Sequence, residues 1–220
     1  MKTLFTTIGL AAALVASPAV AQLVDGSFET QGSASMGNTS YCYLNSNCAG
    51  GSWTSVGGGG GFVGASNGDW PGAPGTVGDY HGFIQGGGSL FQTFTADTTG
   101  TFALSFLDAG RSRGGYNGPH TYVASFNGFN IFNGLTDGQT TAGQTFTAQT
   151  SSSFRLVAGQ SYTIGFVGDY NGTDSTSFID GISLAGAVPE PATWALMIVG
   201  FGAVGGSLRR RRSVGGLATA

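Results

Sequence analysis

Residues 101–107 read Thr101-Phe102-Ala103-Leu104-Ser105-Phe106-Leu107, and large apolar side chains alternate there with smaller or polar ones. Successive side chains of a strand point to opposite faces, so this alternation places Phe102, Leu104 and Phe106 together on one face. The stretch therefore predicts a β-strand whose apolar face is buried against a core.

The same alternation recurs through the central part of the chain, at residues 121–127, 153–157, 161–167 and 177–184. Dipeptides that favour turns separate these segments, for example Asn127-Gly128 and Asn171-Gly172. Helical periodicity is nearly missing in this region. We therefore expect an all-β domain over residues 22–188, an antiparallel β-sandwich with phenylalanines between its two sheets.

The stretch 50–88 combines runs of glycine with aromatic residues, which is compatible with two or three glycine-rich strands and long loops. Its Trp53, Trp70 and Tyr80 are the candidate ligand-binding residues. A flat ring packs against the C–H face of a sugar while polar neighbours bind the hydroxyls, and an exposed Trp in a polar loop hints at binding. The alternative is that these rings fold back and cap the sandwich.

Residues 169–174 are predicted to form a polar turn.

Charged residues make up only 9% of the chain. Within residues 22–188, three arginines stand against ten carboxylates, which gives this part of the chain a net charge of −7. A nucleic-acid partner is excluded, because binding to phosphate backbones requires a basic surface. The remaining surface must consist of Gly, Ser, Thr, Asn and Gln, which suits an extracellular protein.

The first 21 residues have the pattern of a secretory signal peptide. Lys2 provides the positive charge, the segment 4–15 is mostly apolar, and Ala19-Val20-Ala21 provides the small residues of a cleavage site. We therefore expect the mature chain to begin at Gln22, on the far side of the inner membrane.

The C-terminal part of the chain has three consecutive features. Pro189-Glu190-Pro191 is followed by 17 uncharged residues, 192–208, and then by a cluster of four arginines, Arg209, Arg210, Arg211 and Arg212. As a helix, the uncharged run would be about 26 Å long, just enough for a thin bilayer. Trp194 would lie at the outer interface, and the arginines would keep the tail 213–220 in the cytoplasm. The segment thus predicts a transient transmembrane anchor.

This C-terminal segment resembles the PEP-CTERM sorting signal in its PEPxxWA form. The resemblance rests on Pro189, Glu190 and Pro191, on Trp194 with the residues after it, and on the arginine cluster. It implies processing by an exosortase, an integral-membrane protease that acts near the Pro-Glu-Pro motif. It also implies a Gram-negative host that makes extracellular polysaccharide, with release of the protein to the outer surface or matrix.

The two ends of the domain resemble the first and last strands of galactose-binding-like and carbohydrate-binding-module jelly rolls. These are Leu23-Val24-Asp25-Gly26-Ser27-Phe28-Glu29 and Ser177-Phe178-Ile179-Asp180-Gly181-Ile182-Ser183-Leu184. The resemblance implies that the end strands pair beside a structural Ca²⁺, with Glu29 and Asp180 as ligands. A buried Asp180 would in any case require a cation or strong hydrogen bonds. The alternative is a hydrogen-bonded Asp at a strand bulge.

Cys42 and Cys48 are the two cysteines of the chain. In an oxidising compartment we expect them to form a disulfide, with two free thiols as the alternative.

No arrangement of residues in the sequence indicates catalysis. Gly64-Ala65-Ser66-Asn67-Gly68 matches a nucleophile pattern, but Pro71 and Gly72 follow shortly after it, where the pattern requires a helix. We therefore expect a non-catalytic surface or matrix protein that binds or organises extracellular polysaccharide. A purely structural, self-associating matrix protein is the alternative, and a polysaccharide hydrolase is the third possibility.

Overall fold

The structure is a computed structural model that describes residues 23–68, 70, 76–111, 119–132, 137–170, 172, 174–186 and 191–213. Its elements are, in chain order, α1 Glu29–Ser35, β1 Tyr41–Tyr43, β2 Gly60–Gly64, β3 Tyr80–Gln85, β4 Ser89–Thr95, β5 Gly100–Gly110, β6 His120–Phe126, β7 Phe129–Asn130, β8 Gly138–Thr140, β9 Thr147–Thr150, β10 Phe154–Leu156, β11 Ser161–Gly168, β12 Thr176–Ala185 and α2 Pro191–Ser213.

The strands form two sheets whose pairings are antiparallel. The seven-stranded sheet has the order β1-β2-β3-β12-β5-β10, with β9 also pairing with β5. The five-stranded sheet has the order β4-β11-β6-β7, with β8 also pairing with β6. The predicted all-β, antiparallel sandwich is confirmed.

The core between the sheets is largely aromatic. Phe102, Leu104 and Phe106 of β5 are buried, as the alternation in residues 101–107 predicts. The ring of Phe106 lies 4.9 Å from that of Phe166 and 6.4 Å from that of Tyr122, both from the opposite sheet. Edge-to-face contacts of this kind add to the free energy gained from burying the rings.

The expected first strand at Leu23–Glu29 is wrong. Asp25 and Phe28 have positive φ angles of 54° and 61°, which extended backbone does not have. Instead, the two carboxylate oxygens of Asp25 accept the amide hydrogens of Thr30 at 2.9 Å and Gln31 at 2.7 Å. The segment is therefore a turn that leads into α1, with Asp25 binding otherwise unpaired amides of the first helical turn.

The last strand, β12, contains a β-bulge. Its register with β5 shifts between Asp180 and Ser183, and Gly181 has a φ of +56°. Just after the bulge, the Ile182 amide donates to the Gly26 carbonyl at 2.8 Å. This hydrogen bond joins the N-terminal turn to β12, although the two segments do not pair as strands.

Cys42 and Cys48 form a disulfide. The bridge closes the short turn that follows β1, and Cys42 is buried in the core. It ties an edge strand of the seven-stranded sheet to the loop beyond it.

The C-terminal helix α2 spans Pro191–Ser213 and includes the run 192–208. Among the residues that the structure describes, no helix combines the length and the apolar character that crossing a membrane requires. The transmembrane anchor therefore stays a prediction. The signal peptide at 1–21, Pro189, Glu190 and residues 214–220 lie outside the described residues, as do the side chains of Trp194, Arg210, Arg211 and Arg212.

Candidate functional site

A cleft of about 550 Å³ opens at one end of the sandwich, where the turn between β3 and β4 meets the loop between β11 and β12. We call it the Tyr170 cleft. Its lining includes Gly58, Gly59, Gly86 and Gly87 in the floor, and Gln85, Tyr170 and Asp174 in the walls.

The floor of the Tyr170 cleft requires glycine because two backbone segments approach closely there. A Cβ on Gly88 would lie 2.2 Å from the carbonyl oxygen of Gly59, and a Cβ on Gly59 would lie 2.4 Å from the carbonyl oxygen of Gln85. Gly59 also has a φ of +90°, which L side chains rarely adopt. The Gln85 amide donates to the Gly59 carbonyl at 2.8 Å. The floor is therefore bare backbone, held in place by hydrogen bonds.

Tyr170 supplies an exposed aromatic surface above this floor. Its side chain is 69% exposed. The edge of its ring rests near Gly86, where an added Cβ would lie 3.0 Å from Cδ2. An aromatic ring that is supported on one side and open to solvent on the other is suited to contact with a ligand.

The polar groups of the Tyr170 cleft are already oriented. The Gln85 amide nitrogen donates to the Asp174 carboxylate, and the Gln85 amide oxygen accepts the Tyr43 hydroxyl at 2.6 Å. The other Asp174 oxygen lies 3.9 Å from the Arg111 guanidinium. Burial raises the pKa of Tyr43, and Tyr41 and Asp174 raise it further, so its hydroxyl stays protonated as a donor. These contacts hold the amide and the carboxylate in one arrangement.

Trp70, a candidate ligand-binding residue, lies on the outer face of the seven-stranded sheet. Its ring stacks on Tyr41 at 5.0 Å, and the Arg111 guanidinium lies 4.2 Å from its centroid. Only 6% of Trp70 is exposed, whereas 42% of Tyr41 is exposed. Trp70 is therefore not the exposed ring that the ligand-binding interpretation requires, because these neighbours cover it. Arg111 links this stack to Asp174 in the Tyr170 cleft.

The other two candidate ligand-binding residues, Trp53 and Tyr80, belong to the core. Trp53 is 1% exposed, and its indole N–H donates to the Asp25 carbonyl at 2.8 Å. Tyr80 is 8% exposed, and its hydroxyl donates to the Met36 carbonyl at 3.0 Å. Both polar tips are thus satisfied inside the protein. The prediction that these two rings contact a ligand is therefore corrected. They pack inside the sandwich, as the capping alternative states.

Glu29 lies at the start of α1, beside the loop that leads into β3. Its carboxylate oxygens accept the amide hydrogens of Asp79 at 3.1 Å and Tyr80 at 2.9 Å. A Cβ on Gly78, the residue before Asp79, would lie 2.5 Å from the Glu29 carboxyl carbon. Close packing therefore fixes this carboxylate against the loop.

Asp180 is fully buried at the bulge of β12. Its oxygens accept the amides of Val77 at 2.6 Å and Gly181 at 2.7 Å. Burial raises the pKa of Asp180 to about 7, these two hydrogen bonds oppose the rise, and the nearby Glu29 adds to it. The structure thus shows the hydrogen-bonded Asp at a bulge. It also places a second carboxylate close enough to affect the Asp180 charge.

The oxygen atoms of Glu29 and Asp180 are only part of what a hard cation such as Ca²⁺ requires as ligands. Carboxylate and carbonyl oxygens are the ligands that Ca²⁺ prefers. Among the described residues, however, no group of three or more His, Cys, Asp or Glu side chains is placed to hold a metal ion. Backbone carbonyls would therefore have to complete the coordination shell.

A hydroxyl and an imidazole meet inside the protein, but not at a surface. The ring of His120 lies between Ser177, with 2.8 Å from Nδ1 to Oγ, and Gly86, with 2.9 Å from Nε2 to the carbonyl oxygen. Both side chains are fully buried, and burial lowers the pKa of His120. A substrate cannot reach this pair. Ser66, from the nucleophile pattern, lies in a turn after β2.

The sequence by itself does not indicate Tyr170 as a candidate binding residue. The signal available was an aromatic residue between Asp169 and Asn171-Gly172, in a stretch that reads simply as a polar turn. Nothing in that local pattern indicates that Gln85 and the glycine floor lie beside it.

Comparison with known proteins supports the C-terminal interpretation. Residues 187–212 match the family model of the PEP-CTERM protein-sorting motif. The resemblance stated from Pro189, Glu190 and Pro191 is confirmed, and the motif indicates export and sorting to the cell surface. No curated protein matches this chain.

Solved structures with a similar fold include carbohydrate-binding modules. The TmCBM61 module in complex with β-1,4-galactotriose is 14% identical, with a TM-score of 0.42, over 75% of this chain and 97% of that one. A family 35 carbohydrate-binding module from Clostridium thermocellum is 19% identical, with a TM-score of 0.38, over 52% and 84%. The GH26-CBM35 β-(1,4)-mannanase of Podospora anserina is 22% identical, with a TM-score of 0.39, over 60% of this chain but 29% of its own length.

Proposed function

We propose that this protein is an exported, surface-sorted β-sandwich that binds extracellular polysaccharide through the Tyr170 cleft and catalyses no reaction. The observation that supports the proposal most is the exposed ring of Tyr170 above a backbone floor, beside the fixed polar groups of Gln85 and Asp174. This arrangement is suited to a ligand that has an apolar face and hydroxyl groups at its edge.

A neutral sugar ring matches this chemistry. Its C–H face packs against an aromatic ring such as Tyr170, and its hydroxyls can donate to Asp174 and exchange hydrogen bonds with Gln85. The excess of carboxylates within residues 22–188 would repel an anionic glycan, although salt screens charges that lie farther apart. A neutral polysaccharide is therefore the favoured class of ligand.

The sorting signal supports the location of this activity. An exosortase-type protease would act near Pro189-Glu190-Pro191, while the helix that follows serves as a transient membrane anchor. In the sequence only five residues separate Ala185, where β12 ends, from Pro191, where α2 begins. Cleavage there would release the sandwich with its strands intact, at the outer surface or in the matrix of a Gram-negative bacterium.

Replacing Tyr170 with alanine tests the proposed function. We expect the variant to bind its glycan at least about tenfold more weakly, which corresponds to about 1.4 kcal/mol, because the stacking surface is lost. A glycan array identifies the ligand, and calorimetric titration measures the affinity. Tyr170→Phe, which keeps the ring, is expected to retain most of the binding.

Phe129→Ala is the matched control for Tyr170→Ala. Phe129 is another exposed aromatic, 76% accessible, at the β6–β7 hairpin. We expect this substitution to leave binding unchanged. Equal affinity of the wild type and Tyr170→Ala would contradict the proposal. Absence of any glycan ligand, together with self-association that depends on concentration, would favour the structural alternative.

A structural Ca²⁺ held by Glu29 and Asp180 is a separate part of the proposal. At pH 7.5, Ca²⁺ at about one hundred times its Kd would raise the free energy of unfolding by about 2.7 kcal/mol over the value in chelator. Thermal melting measures this difference. Glu29→Gln is expected to abolish it, and Asp97→Asn, which removes an exposed carboxylate, is expected to keep it. Equal midpoints of the wild type in Ca²⁺ and in chelator would remove both residues from the site.

A further inference from the structure

A second cleft of about 490 Å³ lies between β8, which pairs with β6 of the five-stranded sheet, and β9, which pairs with β5 of the seven-stranded sheet. We call it the β8–β9 cleft. Its polar lining includes Asp108, Asp137, Gln139 and Gln149, with Phe132 as an apolar neighbour. The function proposed above does not use this cleft.

The Asp108 carboxylate lies at the bottom of the β8–β9 cleft, where hydrogen bonds fix its position. The side chain is 1% exposed. One oxygen accepts the Tyr122 hydroxyl at 2.7 Å, and the other accepts donors from Gln144 at 3.1 Å, Thr147 at 2.7 Å and Gln149 at 3.1 Å. All four partners are uncharged, so they orient the carboxylate without neutralising it.

The groups at the rim of this cleft are suited to hydroxyl ligands. Because the Gln149 amide nitrogen donates to Asp108, its carbonyl oxygen is left as an acceptor. Gln139 is exposed and carries both a donor and an acceptor. Asp137 accepts one hydrogen bond, from Asn130 at 3.0 Å, and its second oxygen can accept more. Alternating donors and acceptors of this kind match a polyhydroxyl compound.

The two clefts are neighbours across the five-stranded sheet. Gln139 of β8 pairs with Thr121 of β6, and the Thr121 carbonyl accepts the Asp169 amide at 2.9 Å. Asp169 directly precedes Tyr170 in the chain. Adjacent strands lie about 4.8 Å apart, so roughly 10 Å separates the backbone at Gln139 from the backbone at Asp169. A single sugar ring cannot contact both clefts, whereas a short stretch of a chain can.

The charges at this end of the sandwich restrict the class of chain. Asp108, Asp137, Asp169 and Asp174 all lie at this end, and among the described residues there Arg111 is the one cation. Arg111 is itself engaged by Trp70 and Asp174. These four carboxylates would repel a polyanionic chain, whereas a neutral chain carries no charge for them to repel.

We propose that the ligand is an extended segment of a neutral polysaccharide, with one part on Tyr170 and the continuing part in the β8–β9 cleft. The two clefts are then adjacent subsites of one chain. This inference rests on the proposed function, since it assumes that the Tyr170 cleft binds saccharide. It adds a minimum length to the description of the ligand.

A length series tests the inference. The full chain, purified in mild detergent, is titrated calorimetrically with neutral β-1,4-linked manno- and galacto-oligosaccharides of one to six residues. We expect the affinity to rise about tenfold or more between the shortest bound oligosaccharide and a plateau. Gln139→Ala and Asp137→Asn should abolish this rise while leaving the affinity for the shortest oligosaccharide unchanged. Gln160→Ala, an exposed glutamine at the β10–β11 turn, is the matched control and should behave like the wild type.

The outcomes separate the two proposals. Weaker binding of every length by Tyr170→Ala, with the length dependence unchanged in Gln139→Ala, would overturn the second subsite and keep the proposed function. Two oligosaccharides bound per protein, with no gain from length, would replace one extended chain by two separate ligands and also overturn the inference. No binding of any oligosaccharide by the wild type would overturn both.

Discussion

Replacing Trp53 with alanine is expected to lower the free energy of unfolding by about 3–5 kcal/mol. The ring is almost completely buried and lies 5.0 Å from that of Phe28. The substitution would leave a large cavity and would remove the hydrogen bond from the indole to the Asp25 carbonyl. That bond holds the N-terminal turn in place. Denaturant unfolding monitored by circular dichroism measures the loss.

Two control variants show whether the loss of stability comes from removing the buried ring of Trp53. Trp53→Phe keeps an aromatic ring and loses the indole N–H, so we expect a loss smaller than that of Trp53→Ala. Tyr170→Ala removes an exposed ring and should change stability by no more than about 0.5 kcal/mol. If Trp53→Ala instead left stability unchanged and abolished glycan binding, Trp53 would be a ligand contact and its placement in the core would be incorrect.

Replacing His81 with phenylalanine is expected to stabilise the protein, and more so as the pH falls. His81 is fully buried, and within the described part of the chain neither ring nitrogen has a hydrogen-bond partner. Its ring packs edge-on against Phe146 and Phe178, at 5.6 and 4.8 Å. An apolar ring suits this place better, so a gain of about 1–3 kcal/mol is expected at neutral pH.

The pH dependence follows from the same burial, which lowers the pKa of His81 from 6.5 to about 3. Between these values the unfolded chain binds a proton that the folded protein does not. His81 therefore reduces the stability of the wild type as the pH falls below 6.5, by about 1.4 kcal/mol per unit. At pH 5 the advantage of His81→Phe should thus exceed its value at pH 7 by about 2 kcal/mol.

Comparing the stability of the wild type with that of His81→Phe at each pH isolates the contribution of His81 protonation. Asp180 acts in the opposite sense, because its raised pKa lets the folded protein hold a proton between about pH 4 and 7, so its contribution to stability falls as the pH rises. That contribution is shared by the wild type and His81→Phe, and cancels in their difference. Trp53→Phe should differ from the wild type by an amount that does not vary with pH. A His81→Phe difference that is equally constant would show that His81 titrates normally.

The interior of the strands was predictable because alternation is a local property. Phe102, Leu104 and Phe106 occupy the inward face of β5, and Ile164 and Phe166 the inward face of β11, as their spacing indicates. The sorting motif was predictable for a related reason, since a protease reads such a signal as a linear stretch of chain.

The N-terminal segment shows where local reasoning fails. Leu23–Glu29 resembles the first strand of known jelly rolls, yet Asp25 and Phe28 adopt positive φ angles. Contacts with residues far along the chain hold them there. Asp25 accepts the Trp53 indole, and Phe28 packs against Trp53 and Phe62 at 5.0 and 5.5 Å. Burial of these rings stabilises the turn.

The sequence alone determined that this chain is an all-β domain with a sorting signal, because a period of two and a linear motif are both contained in short stretches. Only the tertiary structure decided which aromatic rings are buried and which polar groups meet. Gln85 and Asp174 are 89 positions apart and share a hydrogen bond. They meet because the β3–β4 turn and the β11–β12 loop lie at the same end of the sandwich, and strand pairing between distant segments sets that arrangement.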